Sequence, residues 1–284
     1  MLRKLLKHEW KSVNKVLLPV NLCIILITIV GCTVLNTDIF DTEESWPIAL
    51  FLLIFYVLSL MTFASITLIY IYVRFYKNLF TAEGYLMHTL PVTPIQLFHS
   101  KLIVGFSWSA FNCLLTLFST AALGFSAIVT VAKEENIDHI SRFFLDDPIV
   151  NNRNQTFSFS EMFGYPPATF LILILLLLLT GCLVSIIMGY LSILLGQLME
   201  KHKLAASIGF FIVIYFFMQM VTSIAILLPN SNALVNAMDN DTSVYFMNIF
   251  YRNLFPASII SQIILSAAFY FASCLLVRRK VNLD

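Results

Sequence analysis

Six long apolar runs constrain this chain more than any other feature of its sequence. About 20 apolar residues cross a bilayer as a helix, and the runs cover residues 16–35, 47–73, 102–132, 167–199, 204–228 and 256–277. They are continuously apolar and do not alternate, which excludes a closed β-barrel, and an open sheet cannot satisfy its backbone in lipid. The runs therefore predict an all-α, polytopic integral membrane protein with six transmembrane helices.

Composition agrees with a single membrane domain over residues 1–284. The chain is 59% hydrophobic and 12% charged, a balance that would leave a soluble domain of this length with large exposed apolar patches. The five cysteines all lie inside apolar runs and have no metal-binding spacing. They are interpreted as packing residues.

The distribution of basic residues predicts the orientation. Of the 17 Lys and Arg residues, 13 lie at the two termini, in the interval 74–101 or in the short turn before residue 204. The segments on the other side carry 12 of the 16 acidic residues. By the positive-inside rule, both termini and the interval 74–101 are cytoplasmic, and 133–166 and 229–255 are outer segments.

Residues 1–15 have the pattern of a helix that lies in the cytoplasmic membrane interface. An apolar stripe (Leu2, Leu5, Leu6, Trp10 and Val13) is separated from most of the basic residues, which predicts an amphipathic helix bound to anionic lipids. A signal peptide is the alternative, since residues 29–32 resemble a lipoprotein cleavage box. The apolar run is longer than a typical signal core, so we expect an uncleaved first span.

We call residues 74–101 the elbow, because two helix ends are predicted within it. Its sequence is RFYKNLFTAEGYLMHTLPVTPIQLFHSK. Apolar residues at helical spacing predict a short helix over 81–89, with Thr81 as a cap and Pro91 as its end. Residues 93–96, Thr-Pro-Ile-Gln, form a capping box with proline at the first helical position. The elbow is therefore interpreted as a rigid cytoplasmic connector.

Catalytic signatures are absent from the sequence. It contains no P-loop, no H-E-x-x-H and no G-x-S-x-G motif, and the five histidines are dispersed. The centres of the six runs carry no ionisable residue of the kind that marks proton relays. We assign no catalytic, cofactor-binding or metal-binding residue to this chain and expect neither an enzyme nor a nucleic-acid-binding protein.

Uncharged polar residues do occur in the runs, namely Asn21, Asn112, Gln197, Gln219 and Gln262. Hydrogen bonds between helices explain such residues, and a role in lining a transport path is the sharper hypothesis. Both interpretations stay open for Asn21, Asn112, Gln219 and Gln262. In the fourth run, Gly181, Ser185 and Gly189 form a small-residue stripe that predicts the close approach of another helix.

Taken together, these features resemble the permease subunit of ABC exporters of the type-2 class. The resemblance rests on the topology of the whole chain. In addition, the segment FYKNLFTAEGYLMHTLPVTPIQLFHSK looks like the elbow of permeases common in Gram-positive bacteria. The resemblance implies a multi-pass protein of the bacterial cell membrane. It also implies a working unit of two ATPase subunits, which bind ATP and Mg, and two permeases, identical or related.

The resemblance further implies that the helix around 81–89 is a coupling helix seated on the ATPase. Glu83 would pair with a basic group, Gly84 would permit close approach, and Tyr85 and Met87 would fill a groove. The alternative is an interfacial helix lying on the inner leaflet. The expected function is export of an apolar or amphipathic substrate, such as a peptide, an antibiotic or a lipid-like molecule; its identity is left open.

Two other classes of function remain as alternatives. A membrane sensor or scaffold would bind a ligand through the outer segment 133–166 and signal through the elbow. An intramembrane enzyme would need convergent catalytic groups that the sequence does not show.

Overall fold

A computed structural model of the chain describes residues 2–35, 46–81, 93–131, 142, 144–150, 156–239 and 243–280. Within these residues the helices are α1 (Leu2–Leu35), α2 (Trp46–Phe80), α3 (Pro94–Val131), α4 (Phe159–Phe163), α5 (Pro167–Gly196), α6 (Lys203–Asp239) and α7 (Ser243–Lys280). Two short strands, β1 (Ile149–Val150) and β2 (Thr156–Phe157), pair antiparallel, with Ile149 opposite Phe157.

Six helices of the described residues are long and apolar enough to cross a membrane, and the fourth candidate span, Phe159–Gly196, takes in α4 together with α5. This confirms the predicted all-α architecture and six helices of suitable length and composition, which indicate a multi-pass membrane protein. Several helices run beyond the predicted spans. Residues 2–15 are continuous with the first span in α1, and α6 continues through Pro229 to Asp239. The side of the membrane on which each end lies, and the interfacial position of residues 1–15, stay predictions.

The start of α3 follows the predicted capping box. The backbone N–H of Gln96 donates to Oγ1 of Thr93, and the backbone N–H of Thr93 donates to Oε1 of Gln96, each over 3.4 Å. Pro94 occupies the first helical position, where a missing N–H costs nothing. Both features fix where α3 begins, within the elbow and eight residues before the predicted third span.

The chain divides into two compact units. The first unit comprises Met1–Val131, Ser185–Phe211 and Tyr270–Asp284, and the second comprises Ala132–Val184 and Ile212–Phe269. The sequence predicted one transmembrane domain, and this remains a prediction. Helices α5, α6 and α7 each contribute residues to both units.

The first unit has its core where α1, α2 and α3 pack with the end of α5. Its buried apolar residues are Val13, Leu17, Ile71, Phe75, Leu79, Leu97, Phe98, Val104, Trp108, Ile186, Tyr190, Ile193, Leu194 and Val277. Leu5 and Leu6 pack against this core, while Trp10 is half exposed and lies 5.6 Å from Trp108 between ring centroids. The stripe predicted to face lipid therefore faces protein in part.

In the second unit, aromatic rings surround the start of α5. Phe159 of α4 lies 5.3 Å from Phe170 of α5 between ring centroids, and Phe170 lies 5.1 Å from Phe255 of α7. Ser158 caps α4 in a capping box with Glu161, and Gly164 ends it at φ 73°, in the left-handed region. A side chain at position 164 would also meet the carbonyl oxygen of Asn248.

Candidate functional site

A buried group of charges joins the first three helices of the first unit. Oε2 of Glu9 accepts hydrogen bonds from Nη2 and Nε of Arg74 over 2.9 and 3.2 Å. Oε1 of Glu9 accepts from Nζ of Lys101 over 2.8 Å and from Nδ2 of Asn78 over 3.4 Å. We call these four residues the Glu9 cluster. One carboxylate thus binds α1 to both α2 and α3.

The spacing of α1 explains why an acidic residue lies on this face. Leu5, Glu9 and Val13 are four residues apart, so they share one side of the helix. Val13 is buried, and Leu5 packs on the same core. Glu9 is the only acidic residue before Asp38, and this position on the apolar stripe is the signal that sequence reasoning missed.

Burial makes the electrostatics of the cluster strong. The side chains of Glu9 and Lys101 are 3% and 4% exposed, and that of Arg74 is 20% exposed. Water screens charges of this kind little, and a buried charge that loses its partner is costly. Two cations share one carboxylate, so these three side chains carry a net formal charge of +1.

An aromatic wall supports the cluster from the side of α5. The rings of Phe75 and Tyr190 are stacked, with centroids 3.8 Å apart and planes 10° apart. Oη of Tyr190 donates to the backbone carbonyl of Lys101 over 3.2 Å. Glu9, Lys101 and Tyr190 also line a cavity of about 20 Å³, enough for one water molecule. The cluster is therefore held on two sides.

This finding changes the interpretation of the end of α2. The end of α2 is rich in aromatic and basic residues (Tyr70, Tyr72, Arg74, Phe75 and Tyr76), a composition that is typical of a belt at a membrane interface. Phe75 is instead 1% exposed within the core, and Arg74 turns toward Glu9. An aromatic and basic composition is common to belts and to buried clusters, so sequence alone could not distinguish them.

The Glu9 cluster lies at the two ends of the elbow. Arg74 is in the last two turns of α2, and Lys101 is in the second turn of α3. Thr81, predicted to cap the coupling helix, donates its hydroxyl to the carbonyl of Lys77 in α2. The predicted ATPase contacts Glu83, Gly84, Tyr85 and Met87 lie outside the described residues, as does Pro91.

Two of the predicted polar residues meet inside the first unit. Nδ2 of Asn112 donates to Oδ1 of Asn21 over 2.8 Å, and both side chains are buried. Seven residues further along each helix, the hydroxyls of Thr28 and Ser119 are hydrogen-bonded, and Tyr56 of α2 bonds the same Ser119. A polar seam with a seven-residue step therefore runs along the α1–α3 contact, as in parallel packed helices.

The other predicted polar residues do not join this seam. In the second unit, Oγ1 of Thr180 donates to Oε1 of Gln262 over 2.6 Å, which links α5 to α7. Gln219 of α6 is exposed, and Nε2 of Gln197 is buried without a hydrogen-bond partner. The structure thus gives Asn21, Asn112 and Gln262 interhelical hydrogen bonds, while their role in a path stays a prediction.

The small-residue stripe of α5 behaves as predicted at one position. A side chain at Gly189 would overlap the ring of Tyr72 in α2. The same tyrosine donates its hydroxyl to the carbonyl of Ser185 over 2.8 Å. Gly189 therefore permits the close approach of α2 to α5 within the first unit.

Among the described residues, no group of three or more His, Cys, Asp or Glu side chains is arranged to hold a metal ion. Comparisons with protein-family models, with curated proteins and with solved structures found no match to this chain. The comparisons therefore assign no family to the chain. The family that the elbow sequence resembles remains a proposal, supported by the residues described above.

Proposed function

We propose that this chain is the membrane-spanning permease subunit of an ATP-driven exporter of the type-2 ABC class. The observation that carries the proposal is the Glu9 cluster, which binds the helices on both sides of the elbow to one carboxylate. A coupling element must transmit force without yielding. The structure supports such a role because the helices entering and leaving the elbow are fixed to each other and to α1.

In this proposal, both termini and the elbow are cytoplasmic, and the elbow rests on a separate ATPase subunit. The ATPase pair binds ATP and Mg and closes around the nucleotide. Closure pushes the elbow, and α2 and α3 respond as a rigid body because Glu9 holds Arg74 and Lys101 together. The polar seam between α1 and α3 extends this body along the helices.

The proposed substrate class rests on the uncharged polar groups of the spans. The hydrogen-bonded amides of Asn21, Asn112 and Gln262 are uncharged. Such groups suit an apolar or amphipathic cargo, for example a peptide, an antibiotic or a lipid-like molecule, moved from the cytoplasm to the outside. The path forms between this chain and a second permease, identical or related, in the bacterial cell membrane.

The test is a co-purification and coupling experiment on the elbow. Glu83→Lys reverses the charge of the residue that would pair with a basic group of the ATPase. Glu200→Lys is the matched control, because Glu200 is exposed in the turn that is predicted to be cytoplasmic. We expect the native chain and Glu200→Lys to recover an ATPase subunit in equal amount from the native membrane.

Glu83→Lys should recover less ATPase or lose the stimulation of ATP hydrolysis by transport. Unchanged assembly, hydrolysis and export in Glu83→Lys would show that the elbow is not the coupling element. A lone, stable chain with no ATPase bound to the native form would overturn the proposal as a whole.

A further inference from the structure

Two exposed apolar side chains stand out between the third and fourth spanning helices. Phe144 is 56% exposed and Leu145 is 73% exposed, although neither lies within a candidate span. Polar residues Arg142, Asp146 and Asp147 flank them. Apolar side chains of this size are favoured away from water, so an exposed adjacent pair points to a contact outside the chain.

A line of aromatic rings connects this pair to a spanning helix. The ring of Phe144 lies 6.2 Å from that of Phe159, and Phe159 lies 5.3 Å from Phe170. Phe170 is in the first turn of α5, where that helix enters its apolar stretch. The fourth candidate membrane span begins at Phe159, so one ring contact separates Phe144 from the end of that span. This contact places Phe144 near the level of the bilayer interface.

Hydrogen bonds hold the pair in one orientation. The backbone N–H of Ser160 donates to Oδ1 of Asp146 over 2.7 Å. Nδ2 of Asn248 in α7 donates to the carbonyls of Ser160 and Glu161 over 3.2 and 2.7 Å. The residue that follows Leu145 is therefore fixed to α4, and α4 is fixed to a second spanning helix.

We infer that Phe144 and Leu145 insert into the boundary between headgroups and acyl chains of the leaflet at which α5 begins. The apolar spacing of Ile137, Ile140, Phe143 and Phe144 in the sequence predicts a short amphipathic helix in this segment, the pattern of an interfacial helix. The carboxylates of Asp146 and Asp147 favour zwitterionic over anionic headgroups. The inference requires only the spanning helices and is independent of the proposed export function.

Tryptophan fluorescence in vesicles tests the insertion. The full chain is prepared with Leu145→Trp and, as the matched control, with Asp147→Trp, an exposed position two residues away. Each is reconstituted in phosphatidylcholine vesicles with and without bromine atoms on the acyl chains. The emission of the native chain, which has three tryptophans, is subtracted.

We expect the added emission of Leu145→Trp to be blue-shifted and quenched at least twofold by the brominated lipid. The added emission of Asp147→Trp should be red-shifted and quenched by iodide present on both sides of the vesicle. Quenching of Leu145→Trp by iodide alone would overturn the inference. Blue-shifted emission that brominated lipid does not quench would also overturn it, because the pair would then contact protein, such as a second copy of the chain.

Where Leu145→Trp disturbs the fold, Phe144→Trp provides the same readout at the neighbouring position. The native ring at this position contacts Phe159, and we expect the indole ring to keep that contact. Lipid quenching at Phe144→Trp supports the inference, and quenching only by iodide contradicts it.

Discussion

Nζ of Lys101 lies 2.8 Å from Oε1 of Glu9, so a residue at the start of the third spanning helix is bound to one near the start of the first. Ninety-two positions separate them in the chain. Arg74 completes the contact from the end of the second helix. These contacts fix the two ends of the elbow to α1.

Replacing the carboxylate with its amide should destabilise the fold strongly. Glu9→Gln keeps the shape of the side chain but leaves Arg74 and Lys101 buried without a counter-charge. We expect a loss of about 3–5 kcal/mol, measured by thermal and chemical unfolding of the purified chain in detergent. Glu200→Gln, at an exposed position, should change stability by less than about 0.5 kcal/mol.

Removing all three charges of the cluster should lower the free energy of unfolding less than removing the carboxylate alone. The triple replacement Glu9→Met, Arg74→Met and Lys101→Met leaves no uncompensated charge, and apolar replacement of a buried ionic group is often neutral. We expect most of the stability lost in Glu9→Gln to return. A triple variant as unstable as the single one would mean that uncompensated charge is not the cause.

Adding one methyl group to α5 should disrupt its contact with α2. In Gly189→Ala, the new carbon overlaps the ring of Tyr72, and the bond from Tyr72 to Ser185 limits how far the ring can move. We expect a loss of about 1–3 kcal/mol in the same unfolding assay. Gly209→Ala is the control, since a side chain there meets nothing within 4 Å; it should be neutral or stabilising.

The two asparagines of the seam should show coupled contributions. Asn21→Ala and Asn112→Ala each remove the same hydrogen bond, so the double variant should lose less than the two single losses combined. Double-mutant cycles in membrane proteins average about 0.6 kcal/mol for such bonds. Additive losses would show that the contact carries no interaction energy.

The hydrogen bond between Ser160 and Asp146 should depend on pH. The backbone N–H of Ser160, which donates to Oδ1, lowers the pKa of this carboxyl below its ordinary value of 3.8. The ionised form is therefore favoured in the folded state. The stabilisation that the ionised Asp146 carboxylate gives the folded state is present above pH 3.8. It is lost as the pH falls through the lower pKa of the folded state.

Hydrogen exchange of the Ser160 amide measures this dependence. The protection factor should fall below pH 3.8 in the native chain. Asp146→Asn retains an acceptor that does not titrate, so its protection factor should stay constant over the same range. The effect on global stability should be small, because solvent screens this carboxylate.

The six spans could be predicted from the sequence because continuous apolar runs have few alternatives in a bilayer. The start of α3 could also be predicted, since Thr93, Pro94 and Gln96 act locally. The seam at Asn21 and Asn112 was visible as two polar residues, while their pairing was not. Pairing depends on how two helices are rotated against each other, and this is a property of the packed unit.

The Glu9 cluster escaped prediction for a related reason. The sequence shows that Glu9 lies between Leu5 and Val13 on the apolar face of residues 1–15. Such a face fits a lipid interface as well as a protein core. Only the structure shows Arg74 and Lys101 on the facing helices. The predicted contacts at Glu83, Gly84, Tyr85 and Met87 lie outside the described residues, so they stay predictions.

The Glu9 cluster also has a consequence for biosynthesis. The ribosome completes α1 long before it reaches Lys101, so Glu9 enters the membrane region before either of its partners exists. Until α2 and α3 have been inserted, this carboxylate has no counter-charge, so we expect it to stay in water. Docking of the first helix is therefore a late event, and the third helix carries the charge that completes it.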